Sequence, residues 1–83
     1  MADIKVYGAD WCSMTKNTLA HLRELDIPFQ YINIDRDRAA AKWVAEQNDG
    51  KEKKPTLDID GEVLSEPTDE ELDEVLAGKG LLR

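Results

Sequence analysis

Apolar and polar positions alternate over Ile4-Lys5-Val6-Tyr7 before Gly8, the two-residue period of a strand with one face toward a core. Beyond Asp10-Trp11-Cys12 the period lengthens, with Leu19, Leu22 and Leu25 at helical spacing, so the chain opens as strand, turn and helix. Pro28 restarts it in extended form. Phe29-Gln30-Tyr31-Ile32-Asn33-Ile34 then places apolar residues on both faces, which predicts a buried second strand whose sheet is covered by helices on both sides. Asp35 is the expected cap of a second helix carrying Ala39, Ala40, Trp43, Val44 and Gln47, and Asn48-Asp49-Gly50 supplies residues that end helices. Lys51 to Lys54 form a charged loop. Pro55-Thr56-Leu57-Asp58-Ile59 and Glu62-Val63-Leu64 flank Asp60-Gly61, a dipeptide suited to a tight antiparallel hairpin. Thr68 followed by Glu71 makes a capping box for a last helix with Leu72, Val75 and Leu76 on one face, closed by Gly78.

The order is therefore βαβαββα, an α/β chain without internal repeats. A parallel βαβ unit needs a right-handed crossover and a closing hairpin extends the same sheet, so the economical topology is a four-stranded mixed sheet flanked by helices. A chain of 83 residues implies one domain, residues 1–83, whose core buries only about 60% of the surface the unfolded chain exposes.

Charge narrows the function. Eleven Lys and Arg against eighteen Asp and Glu leave a net charge of -7, which repels a phosphate backbone and an anionic membrane alike. No nucleic acid and no membrane partner is expected. Met1 to Asp10 lacks the basic start and apolar run of a signal peptide, and no stretch approaches a transmembrane length, so the expected location is cytoplasmic. A lone cysteine makes no internal disulfide, which suits a reducing compartment and leaves the thiol to act alone or with an outside partner.

That cysteine is the candidate nucleophile. Cys12 falls where the first strand hands over to the first helix, facing unpaired N–H groups and the positive end of the helix dipole, and both favour thiolate over thiol. The competing reading, an inert buried thiol, sits poorly with a turn beside Trp11. Thr15, one helical turn on, can donate its hydroxyl to the sulfur, or else bonds the backbone and completes the turn. Lys16 adds a cation on the same face and Asp10 opposes it, so the direction of the Cys12 shift stays open here. His21 lies nine residues on, half a helical rotation away and about 13 Å along the axis, too far to be the base. One Cys and one His do not furnish a closed zinc site, so no metal site is expected. The acidic run Asp69 to Glu74 reads as a solvated helix face, and Trp43 as core.

Trp11-Cys12-Ser13-Met14-Thr15, Pro55, Asp60-Gly61 and Thr68-Asp69 together resemble the glutaredoxins of the thioredoxin-fold superfamily, over essentially the whole chain. The resemblance implies a cis bond between Lys54 and Pro55, with that proline facing the active cysteine. It implies that glutathione binds in extended form beside Trp11, pairing with the backbone of Lys54. Its γ-glutamyl end would meet Thr68 and Asp69 at the start of the last helix, the physics of an anion at a helix N-terminus, and its glycine carboxylate would meet Lys42. The chain departs from the family's usual Cys-Pro-Tyr-Cys and Cys-Gly-Phe-Ser. It carries Cys12-Ser13-Met14-Thr15, Ala9 where a lysine is common, Lys53-Lys54 before the proline, and Ser65-Glu66 in place of a glycine pair.

The implied activity is that of a monothiol thiol–disulfide oxidoreductase, deglutathionylating through Cys12 with Thr15 beside it. Its co-substrate is glutathione or another low-molecular-weight thiol, its partners are glutathionylated or disulfide-bearing proteins, and a monomer is expected. Two alternatives stand beside it. One is carriage of a [2Fe-2S] cluster by a dimer, with Cys12 of two chains and two glutathiones as ligands. The other is a redox-silent module that binds a protein partner.

Overall fold

The computed structural model describes residues 3–82; Met1, Ala2 and Arg83 lie outside the described residues. Strand β1 (Ile4–Gly8) pairs in parallel with β2 (Gln30–Asn33) and antiparallel with β3 (Thr56–Ile59), which pairs antiparallel with β4 (Glu62–Ser65). The sheet order is β2-β1-β3-β4, so the expected four-stranded mixed α/β sheet is present, with β1 and β3 at its centre.

Side-chain alternation splits the core in two. Ile4 and Val6 face the same way as Leu57 and Ile59, and this face is closed by Leu19 and Leu22 of α1 (Ser13–Glu24) and Leu72 and Leu76 of α3 (Asp69–Gly78). Each of these buried leucines contributes up to about 1.5–3 kcal/mol through surface removed from water. On the opposite face Tyr7 and Ile34 meet Ala41 and Val44 of α2 (Arg38–Gln47), and the ring of Trp43 lies 4.7 Å from that of Tyr7. The Asp60-Gly61 hairpin forms with both residues at positive φ, 50° and 94°, the backbone such a turn demands. Thr68 and Glu71 form the reciprocal capping box at the start of α3.

Several local expectations shift. The second strand is an edge strand, half-exposed over Tyr31 to Asn33, because β1 enters the middle of the sheet and leaves β2 outside. Its two-faced pattern survives, with Tyr31 packed toward α1 and α3 and Ile32 toward α2. Asp37 caps α2, its carboxylate accepting from Ala40 N at 3.0 Å, while Asp35 is used elsewhere. Two further residues of turn shift the helix face, so Ala41 is buried while Ala39 and Gln47 are exposed. Gly78 is the last residue of α3, and the left-handed exit falls to Gly80.

Two polar contacts join elements far apart in the chain. Just beyond α2, the buried Asn48 donates its amide to Val44 O at 2.8 Å and to Thr56 Oγ1 at 3.3 Å, and accepts from the Ser65 hydroxyl. Thr56 in turn donates to Lys53 O at 2.8 Å, so one amide ties α2, β3, β4 and the lysine loop together. Between α1 and α3, His21 Nε2 lies 2.7 Å from Asp73 Oδ1, and Nδ1 lies 3.7 Å from Asp69 Oδ2. The acidic run is thus not uniformly solvated.

Asn48→Ala removes the buried amide that joins Val44 O, Thr56 Oγ1 and the Ser65 hydroxyl and is expected to cost about 2 kcal/mol, read as a lower midpoint in urea unfolding. The hydrogen bond to Asp73, outweighing partial burial and helped by Asp69, Asp73 and Glu24, raises the His21 pKa above 6.5. Its stabilisation is therefore fully present below pH 6.5, while the carboxylates stay charged, and is lost as pH rises through the raised value. The stability gap between the wild type and His21→Leu should be widest on the acid side and close on the alkaline side, measured by urea unfolding across pH.

Candidate functional site

Cys12 is the N-cap residue of α1, in extended backbone with φ -83° and ψ 118°, so its carbonyl starts the helix while its side chain stays at the helix mouth. Lys16 N donates to Cys12 O at 3.0 Å, and Cys12 N donates back to Ala9 O at 3.1 Å, which fixes the turn. The sulfur is half-buried, and Sγ donates weakly to Lys54 O at 3.9 Å. The Lys54–Pro55 bond is cis, and the loop before β3 folds against the sulfur.

Thr15 is buried, and its Oγ1 has no conventional hydrogen-bond partner among the described residues, which leaves the hydroxyl proton available to the sulfur. Gly8 explains the fit. A Cβ on Gly8 would stand 2.5 Å from Thr15 Oγ1 and Cγ2, so the first turn of α1 seats against β1 only because that position carries no side chain.

The balance at the sulfur is signed. Burial pushes the Cys12 thiol up, but the Thr15 hydroxyl, the N–H groups of Thr15 and Met14, and the Lys54 ammonium together outweigh it and hold the pKa below its ordinary value. Asp10 does not decide the matter, because its carboxylate accepts from Tyr31 OH at 2.8 Å. Burial and that bond push the Tyr31 phenol up, so it remains a proton donor at neutral pH. The cation that acts on the sulfur comes from Lys54, across the fold, and Lys16 is exposed.

Trp11 is exposed yet anchored. Its Nε1 donates to Asp35 Oδ2 at 2.8 Å, and Lys54 Nζ lies 5.3 Å from the ring centroid while donating to Glu52 O at 3.1 Å. Asp35 and Tyr31 thus position the active loop. Neither had a local signature, because their partners lie 24 and 21 residues away.

Trp11, Cys12 and Lys54 line one open groove of ≈ 420 Å³, together with Lys51, Lys53 and Glu66. Thr68 and Asp69 line a second groove of ≈ 380 Å³ between α1 and α3, where His21 also lies. Met14 lines both and joins them. Pro55 is buried behind the first groove, and Lys42 is exposed on α2, lining neither. Glu66 stands at φ 48° with its N–H donating to Pro55 O at 2.7 Å, holding the left-handed backbone that a glycine would take more easily. A bridging cluster would take a single thiolate from this chain, and among the described residues no group of three or more His, Cys, Asp or Glu side chains is arranged to hold a metal ion.

Known proteins resemble this chain. Residues 4–64 match the family model described as Glutaredoxin. Mycoredoxin 1 of Corynebacterium glutamicum is 34% identical over 59 residues, covering 69% of this chain and 70% of that protein. A Mycobacterium tuberculosis protein named as a glutaredoxin is 29% identical over 72 residues, 86% of each chain. The crystal structure of a glutaredoxin from Archaeoglobus fulgidus superposes with a TM-score of 0.79 at 23% identity, over 92% of this chain and 87% of that one. This last likeness is one of fold.

Removing the hydroxyl while keeping the shape isolates the role of Thr15. In Thr15→Val the midpoint of Cys12 alkylation against pH should move upward from its depressed wild-type position, measured with iodoacetamide under pseudo-first-order conditions.

Proposed function

The chain belongs to the glutaredoxin family, and on that premise we propose that it is a monothiol thiol–disulfide oxidoreductase that removes a low-molecular-weight thiol from mixed disulfides. The observation that carries the reading is the placement of Cys12, a half-buried thiol at a helix N-terminus close to the buried, unpartnered hydroxyl of Thr15, surroundings that hold its pKa below the ordinary value. A lowered pKa enlarges the thiolate fraction, and the thiolate is the species that carries out nucleophilic exchange.

In the proposed cycle the Cys12 thiolate attacks the glutathione sulfur of a glutathionylated protein. A Cys12–glutathione disulfide forms, the original S–S bond breaks, and the protein leaves as thiolate. A second glutathione thiolate then attacks that adduct, releasing glutathione disulfide and regenerating Cys12. No second protein cysteine is consumed, which agrees with a chain that has one. Cys12 and Thr15 are the catalytic pair. Trp11, Lys54 and Pro55 form the wall against which the tripeptide extends, Thr68 and Asp69 receive its γ-glutamyl end through the adjoining groove, and Lys42 reaches its glycine carboxylate from α2.

One observation favours a variant of this reading. The likeness to mycoredoxin 1 brings mycothiol forward as the co-substrate in place of glutathione, with the same chemistry at Cys12. The name of that relative points to the thiol, and both thiols belong in the assay.

The test is the reduction of a glutathionylated and a mycothiolated peptide by the wild type and by Cys12→Ser. The wild type should accelerate release from at least one substrate by about a hundredfold or more over background, with Cys12→Ser at background. Equal rates for the two proteins on both substrates would remove the redox reading.

A further inference from the structure

We propose that the lysine loop before Pro55 and the exposed pair Trp11 and Met14 form a docking surface for an acidic segment of the protein whose disulfide Cys12 attacks. The inference rests on the redox reading above and names the partner class for the same site.

Trp11, 66% exposed, and Met14, 45% exposed, are the large hydrophobic side chains left in solvent among the described residues. Both line the groove that holds Cys12, one on each side of it in sequence. Trp11 is not a loose ring, because Asp35 holds its indole nitrogen at 2.8 Å and Lys54 lies over its face. A fixed, half-apolar aromatic at the centre of a patch is the kind of anchor on which interfaces concentrate their energy, since little conformational entropy is lost when it is covered.

The electrostatics select the occupant. The chain carries a net charge of -7, yet the groove is rimmed by Lys51, Lys53 and Lys54, none of which forms a salt bridge among the described residues. The loop's carboxylate, Glu52, is taken by Arg38 Nη2 at 3.0 Å. With Glu52 paired to Arg38, Glu66 is the remaining carboxylate facing the three ammonium groups in that lining. A basic rim on an acidic protein steers anionic partners to that one place, because the rest of the surface repels them, and it turns cationic segments away from the groove itself. The occupant is therefore an extended protein segment with Asp or Glu beside its cysteine and an apolar residue to cover Trp11.

The chemistry that follows docking is balanced. The Cys12 thiolate forms a bond to the low-molecular-weight sulfur of the docked protein's mixed disulfide, the S–S bond breaks, and the electron pair leaves on the protein sulfur. A second molecule of that thiol then attacks the Cys12 adduct as thiolate, releasing its own disulfide and regenerating Cys12.

Binding is read without turnover by titrating the full-length reduced protein against two fluorophore-labelled peptides. They are identical except that Glu flanks a central Ser in one and Lys in the other, the Ser replacing the disulfide cysteine. The Glu peptide should bind about tenfold more tightly at low salt, the sum of a few exposed ion pairs. That advantage should vanish near about 0.5 M salt and in the double variant Lys51→Glu, Lys53→Glu. Equal affinities for the two peptides, no binding of either, or a double variant that keeps the preference overturns the proposal. Because the peptides carry no sulfur, its failure is distinguishable from failure of the redox reading, which Cys12→Ser tests.

Discussion

Everything in the site depends on how the negative charge of one sulfur is held at the start of α1. Half-burial works against that charge, and the helix answers with the N–H groups of Met14 and Thr15 and with the hydroxyl of Thr15. The hydroxyl is held buried in the first turn, without another partner among the described residues, because α1 lies hard against β1, and α1 lies there because Gly8 has no side chain to hold it away. A residue in a strand thus sets the chemistry of a residue in a turn, through a distance of closest approach.

The acidity of the chain makes this arrangement more demanding. A protein of charge -7 disfavours another anion on its surface, but exposed charges beyond about 8 Å are largely screened at physiological ionic strength. What counts is the neighbourhood. There the two carboxylates flanking the active loop are occupied, Asp10 by the Tyr31 phenol and Asp35 by the Trp11 indole, and the Lys54 ammonium is the near cation. Those two hydrogen bonds hold the loop. The basic rim of the groove and the charge balance at Cys12 share Lys54, so attraction of an acidic partner and activation of the nucleophile come from one loop.

That loop stays in place through buried polar contacts as well as apolar packing. Asn48 links the end of α2 to Thr56 and Ser65, and Thr56 links on to Lys53, so the backbone just before Pro55 is tied to both central and edge strands. On the other face His21 draws Asp69 and Asp73 of α3 toward α1 at the wall of the second groove. A small core leaves little surplus stability, and these contacts place it where the two grooves meet the frame.

The sequence by itself determined what short-range physics decides. The hairpin at Asp60-Gly61, the capping box of Thr68 and Glu71, the βαβαββα order and the position of Cys12 at a helix mouth each depend on residues a few places apart. The tertiary structure alone decided that β2 is an edge strand, that Asp37 caps α2 while Asp35 serves Trp11, and that the cation near the sulfur is Lys54 and not Lys16. It also decided the sign of the Cys12 shift, which sums burial, a hydroxyl, two amides and an ammonium from a loop far along the chain. Patterning reads spacing along one element, whereas these outcomes depend on which elements become neighbours, and no local period encodes a contact between residues 24 or 42 positions apart.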